Sequence, residues 1–181
     1  MKNKLIGISG KARAGKDTIA NYMWAELGYT RIAFADPLKR AAKEIFGLSD
    51  AQMIDDDLKE MLIGYWGLSP RQIFQRLGTE AIRNTFGADT WVKRFFLSYD
   101  LLKDTDDIVV PDVRFDEEAA IIRENGGVII EVRRGEGLRG ETGKHASESG
   151  LSLPPEFIVE NNSTMEALYA EIDLILGNLQ Q

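Results

Sequence analysis

Along the chain, short runs that are apolar throughout alternate with longer stretches in which apolar residues recur every three or four positions. Leu5-Ile6-Gly7-Ile8 is the first such run, and behind it Ile19, Met23, Trp24 and Leu27 keep helical spacing up to a stop at Gly28. Arg31-Ile32-Ala33-Phe34 reads as a short strand. Asp36-Pro37 then offers an N-cap with proline at the first helical position, ahead of a face of Leu38, Ala41, Ala42, Ile45 and Phe46 that Gly47 closes. From Leu48 to Lys103 the pattern predicts helices only. Ser49 with Gln52, and Ser69-Pro70 with Gln72, match capping boxes. In the second of these helices Ile73, Phe74, Leu77, Ala81 and Phe86 line one side and Gly87 ends it. A further helix from Asp89 carries Trp91, Val92, Phe95, Phe96 and Tyr99. Ile108-Val109-Val110, Val128 to Val132 and Phe157-Ile158-Val159 are the remaining strands. A helix runs through Arg123 to Gly126-Gly127, and Ser163 with Glu166 caps a last helix through Leu176.

Five short apolar strands separated by helices predict an α/β fold, a five-stranded parallel sheet covered by helices on both faces. About 55 residues of helix between two strands exceed what a crossover needs. Residues 48–103 therefore read as a substrate-binding insert in a core of residues 1–47 and 104–181. Ligands of such sheets bind at the C-terminal ends of the strands. That rule gathers Gly10 to Thr18, Asp36, Asp112, Arg114, the loop after Val132 and Asn161-Asn162.

A length of 181 residues suits one domain, and 44% apolar with 28% charged residues is an ordinary globular balance. No run reaches the length of a membrane span and no signal-peptide pattern opens the chain, so a cytoplasmic protein is expected. The chain has no cysteine and one histidine, which excludes thiolate catalysis and the usual zinc sites and leaves oxygen ligands for any metal. A net charge of −7 speaks against binding a nucleic-acid backbone and directs any polyanion to a local basic pocket.

The chemistry centres on Gly10-Lys11-Ala12-Arg13-Ala14-Gly15-Lys16-Asp17-Thr18, between the first strand and the first helix. The spacing is that of a phosphate-binding loop, G-x-x-x-x-G-K, whose glycines let backbone N–H groups cradle phosphates and whose lysine reaches the β- and γ-phosphates. Asp17 stands where the general pattern has Ser or Thr, so either Asp17 or Thr18 is the ligand for Mg²⁺. Asp112, ending an apolar strand, is a further Mg²⁺ ligand or else the cap of the helix starting near Phe115. Arg114 suits phosphate oxygens. Arg76 and Arg83, seven residues apart, fall on one helix face and either hold an acceptor phosphate or are solvated. Arg133, Arg134, Arg139 and Lys144 bracket a glycine-rich stretch, residues 133–144, that reads as a lid over the triphosphate. The role of His145 stays open. Tyr65, Trp66 and Trp91 are either base-stacking or core residues, with Trp91 placed in the core.

Taken together, GKARAGKDT, Phe34-Ala35-Asp36-Pro37-Leu38-Lys39, Leu77-Gly78-Thr79-Glu80 with Arg83, Pro111-Asp112-Val113-Arg114-Phe115 and His145-Ala146-Ser147-Glu148 resemble the bacteriophage deoxynucleoside monophosphate kinase family. The loop ending Gly-Lys-Asp is usual there. The resemblance implies a P-loop kinase fold, ATP as phosphoryl donor, Mg²⁺, and work in a host cytoplasm if the gene is a phage's. It implies Lys16, Asp112 and Arg114 as catalytic residues. On the donor side stand Gly10, Lys11, Arg13, Ala14, Gly15, Asp17 and Thr18 of the loop and Asn161 at a strand end, with Arg133 and Arg139 added as lid residues by analogy with nucleotide kinases generally. Asp36, Lys39, Arg83, Asp112 and Arg114 would lie around the acceptor, and Arg76 and Glu148 are further candidates there. A homodimer is compatible. The alternatives are another small-molecule P-loop kinase, acting on dephospho-coenzyme A or phosphomevalonate, and a nucleotide-dependent switch.

Overall fold

The structure, a computed structural model, describes residues 3–135 and 150–179. Strands β1 (Leu5–Ser9), β2 (Thr30–Arg31), β3 (Ile108–Val113), β4 (Val128–Arg133) and β5 (Phe157–Glu160) form one sheet in the order β2-β3-β1-β4-β5, every neighbour parallel. The expected sheet is present. Every residue of β1 is buried, as a central strand covered on both faces requires.

Side-chain alternation divides the core into layers. Ile6, Ile8 and Ile130 meet Ile19 and Met23 of α1 (Lys16–Leu27) and Ile172 of the last helix on one face. On the other, Leu5, Ile108, Val110 and Ile129 meet α6 (Thr90–Leu102) through Phe95 and Tyr99, and α7 (Asp116–Glu124) through Ile122. Residues between α2 (Asp36–Phe46) and α6 form α3 (Asp50–Ile54), α4 (Pro70–Gln75), a π-helical segment at Arg76–Arg83 and α5 (Asn84–Phe86), packed around Ala42, Leu48, Met53 and Ile73. Both capping boxes are formed. No helix among the described residues is long and apolar enough to cross a membrane.

Several boundaries differ from the pattern, each for a local reason. β2 stops early because Phe34 and Ala35 donate their N–H groups to the Asp112 carboxylate and not to a strand. The side-chain cap expected of Asp36 is not formed. Ala35 is the N-cap of α2, and Asp36 already belongs to its first turn. β3 runs on through Pro111, since its register with β1 slips between Gly7 and Ser9; a bulge is where a strand tolerates a residue without N–H. The last helix, α8 (Met165–Asn178), is capped by Thr164, not Ser163. Trp24 (61% exposed), Ile45 and Phe86 lie outside the core. For Phe86 the cause is the π-helical segment, which widens the turns and shifts the downstream residues out of phase with Ile73.

Candidate active site

The loop from Gly10 to Gly15 joins a central strand to the N-terminus of α1, where the helix dipole and unpaired N–H groups favour an anion. Gly10 (φ 135°) lies so close to β4 that a Cβ there would sit 2.3 Å from the carbonyl oxygen of Val132. Gly15 (φ 105°) would meet the Asn161 amide at 2.4 Å. Asn161 is drawn in because its Nδ2 donates to the Ala14 carbonyl at 2.8 Å, tying the end of β5 to the loop. Lys16 is buried, and its ammonium donates to the carbonyls of Gly10 (2.8 Å) and Lys11 (2.7 Å), which lays the charge across the concave side of the loop. At the apex Arg13 adopts φ 65°, and its guanidinium reaches Asp57 at 2.9 Å and the Asp56 carbonyl at 3.1 Å.

A cavity of about 530 Å³ opens beside this loop. Arg13, Gly15, Lys16, Asp17, Thr18, Lys39, Asp112 and Arg114 line it together, so the rule of strand ends brought these residues to one place. Gly10, Lys11, Ala14 and Asn161 are not in the lining but shape the loop through the contacts above. Asp36 lines a smaller neighbouring cavity of about 220 Å³. Neither Arg76 nor Arg83 is in the lining: Arg76 is exposed, and Arg83 pairs with Glu117 and lies 3.7 Å over the Phe115 ring. The π-helical segment is why these two arginines do not share the face that α-helical spacing predicts. Arg133 bonds Glu131 at 2.7 Å, and Arg134 is the neighbour that lines the cavity. Arg139, Lys144, His145 and Glu148, with most of the expected lid, lie outside the described residues. Trp91 lines the cavity and donates its indole N–H to the Gly78 carbonyl, while Trp66 donates to Phe46 and Tyr65 is exposed.

Sequence reasoning missed Arg31, Lys59, Arg71 and Glu118, all in the lining. Arg31 bonds Asp17 at 2.9 Å and lies 3.9 Å from Asp36, joining the phosphate loop to the start of α2. Arg71 is buried in the first turn of α4, with Glu60 against it and Asp56 at 3.9 Å. A cation in a helix's first turn opposes the dipole, and that was the signal available in the sequence.

Burial pushes both acids on this wall up. Asp112 is raised, against the opposing pull of the Ala35 N–H, Lys39, the Phe34 N–H and Arg114. Glu118 rises to about 7, mainly through burial, with the Asp112 charge adding to it and the N–H groups of Arg114 and Phe115 and the Arg114 charge opposing. Among the described residues no group of three or more acidic or histidine side chains gathers as a metal site.

The family model for deoxynucleotide monophosphate kinase matches residues 4–65 and 56–172. The chain belongs to this family. A family namesake in Acanthamoeba polyphaga mimivirus is 35% identical over 98% of this chain and 98% of its own length. The deoxynucleotide monophosphate kinase of Enterobacteria phage T4 is 24% identical over 93% and 97%. Solved structures share the fold at low identity. The shikimate kinase of Aquifex aeolicus has TM-score 0.51 and 15% identity, covering 97% of this chain and 98% of that one. The dephospho-CoA kinase of Campylobacter jejuni has 0.54 and 15%, covering 99% and 98%. The deoxynucleotide monophosphate kinase family is thus carried here on a P-loop kinase fold.

Proposed function

We propose that this chain transfers the γ-phosphoryl group of ATP to a deoxynucleoside monophosphate, giving the diphosphate and ADP, in the cytoplasm. The observation that carries the reading is that one cavity is lined both by the phosphate loop with Lys16 and by the cations Lys39, Arg71 and Arg114. Two phosphate-bearing ligands can therefore meet end to end. Residues 48–103, which supply Arg71, Phe74 and Trp91 to the lining, serve as the acceptor-binding insert.

An oxygen of the acceptor phosphate attacks the γ-phosphorus, and the bond from that phosphorus to the β–γ bridging oxygen breaks. The acceptor is already mostly dianionic at pH 7, so no protein base is required. Catalysis is then positioning and charge. Lys16 and the N–H groups at the start of α1 hold the donor phosphates, while Arg114 and Lys39 hold the acceptor phosphate in line. The oxygens of Asp17, Thr18 and Asp112 line the same cavity and suit Mg²⁺, which is held by one or two carboxylates plus substrate phosphates and needs no larger cluster. When bound, Mg²⁺ supplies neutralisation of charge on the transferring group. Arg31 holds Asp17 toward this wall. The test is to incubate the chain with ATP, Mg²⁺ and each deoxy and ribo monophosphate and to measure diphosphate formation. Hydrolysis of ATP with no acceptor phosphorylated would overturn the reading.

A further inference from the structure

Glu118 is 3% exposed, lies on the wall of the cavity, and has no part in the transfer just described. Burying a carboxylate is costly, so its partners matter. One of its oxygens, Oε2, accepts the backbone N–H of Arg114 at 2.8 Å and that of Phe115 at 3.1 Å. Those two residues are the entire connection between β3, ending at Val113, and α7, starting at Asp116. The connection is held elsewhere as well. Asp112, just before it, is bonded to the turn at Phe34-Ala35, and the Arg83 guanidinium covers the Phe115 ring while pairing with Glu117. Glu118 is the member of this set that grips the backbone of Arg114 itself.

We infer that Glu118 is a positioning residue for Arg114: by clamping the strand-to-helix turn from inside, it holds that guanidinium at the place where the acceptor phosphate must lie. The inference rests on the proposed kinase reading for its substrate. A solvent-facing cap would satisfy the same N–H groups without a buried acid, and the neighbouring Glu117 already serves the helix dipole. What the buried carboxylate adds is a rigid mount for the one arginine on the turn. Both bonds go to one oxygen, so a glutamine, whose amide oxygen reaches the same point, replaces the clamp, whereas an aspartate falls a methylene short.

The experiment measures KM and kcat for ATP and for a deoxynucleoside monophosphate in wild type, E118Q, E118D, R114A and the E118D/R114A double variant, after each has shown cooperative thermal unfolding. E118Q is expected within about threefold of wild type, the difference left when one acceptor of similar geometry replaces another. E118D lowers kcat/KM for the monophosphate by about tenfold or more, with the KM for ATP shifted by less than about twofold, and adds nothing in the R114A background. An E118D effect that falls equally on both substrates, or is as large without Arg114 as with it, overturns the inference, as does an E118D variant with wild-type kinetics. If E118D does not fold, E118N supplies the same shortening without the buried charge and is read the same way. If wild type forms no diphosphate, the kinase reading fails. Monophosphate binding, followed through Trp91 fluorescence, then carries the same comparison, and absence of binding by wild type overturns both.

Discussion

Replacing Gly10 by alanine tests the geometry on which the phosphate loop depends. The residue has φ 135°, a conformation that costs a non-glycine residue about 1–3 kcal/mol. The added Cβ would also lie 2.3 Å from the Val132 carbonyl oxygen. That oxygen is backbone, in a strand paired on both sides with β1 and β5, so no flexible side chain can yield. Overpacking of this kind costs about 1–3 kcal/mol more. The sum, about 2–6 kcal/mol, has a midpoint near 4, which for a domain of this size lowers Tm by about 8–16 °C. Gly28 is the control: its φ is 74°, but nothing lies within 4 Å of an added Cβ, so Gly28→Ala carries only the conformational cost of about 1–2 kcal/mol and a fall of about 2–8 °C. Thermal unfolding followed by circular dichroism compares the two variants. Turnover, read well below both transitions, should fall about 10²-fold in Gly10→Ala if the loop moves by about 1 Å. A Gly10→Ala protein no less stable than Gly28→Ala, with normal turnover, would show that contact with β4 does not shape the loop.

Lys16→Ala should keep its circular dichroism spectrum and lose about 10²-fold or more in turnover, since one preorganised charge on the transferring group is removed; near-normal turnover would take Lys16 out of the mechanism. Asp112→Asn keeps only one side-chain acceptor for the Phe34 and Ala35 N–H groups, so stability should fall by about 1–3 kcal/mol, and the Mg²⁺ needed for half-maximal rate should rise. An unchanged Mg²⁺ titration with a lowered Tm would assign Asp112 to the turn alone. Glu118 ionises near pH 7 in the fold against 4.5 as its ordinary value, so the unfolded chain releases this proton first. Its contribution therefore favours the fold at low pH and is lost as pH rises from about 4.5 to 7, by roughly 3 kcal/mol. Wild type should lose about that much stability relative to Glu118→Gln between pH 4.5 and 8 in denaturant titrations. A constant difference across that range would refute the raised ionisation.

Local patterns determined much of this protein. Apolar runs long enough for one strand, capped helices between them, and G-x-x-x-x-G-K at the first strand-to-helix junction are written in consecutive residues. They were sufficient for the parallel sheet, for the phosphate loop and for the end of the sheet where the cavity lies. What they left undecided depends on contacts between distant segments. Asp112 takes over the N–H groups at Phe34 and Ala35, 78 and 77 residues away, and so shortens β2 and fixes the turn that leads into α2; no local signal at either place announces this. The π-helical segment changes the number of residues per turn and separates Arg76 from Arg83, because periodicity read from sequence assumes one pitch throughout. Arg31 and Arg71 read as an edge-strand residue and a helix residue, and only the packing of β2 and α4 beside the loop turns them into cavity walls. In the sequence Glu118 is the third of three consecutive acids, Asp116-Glu117-Glu118. Only the fold buries it, and burial is what turns a common carboxylate into a clamp with an ionisation near neutral pH.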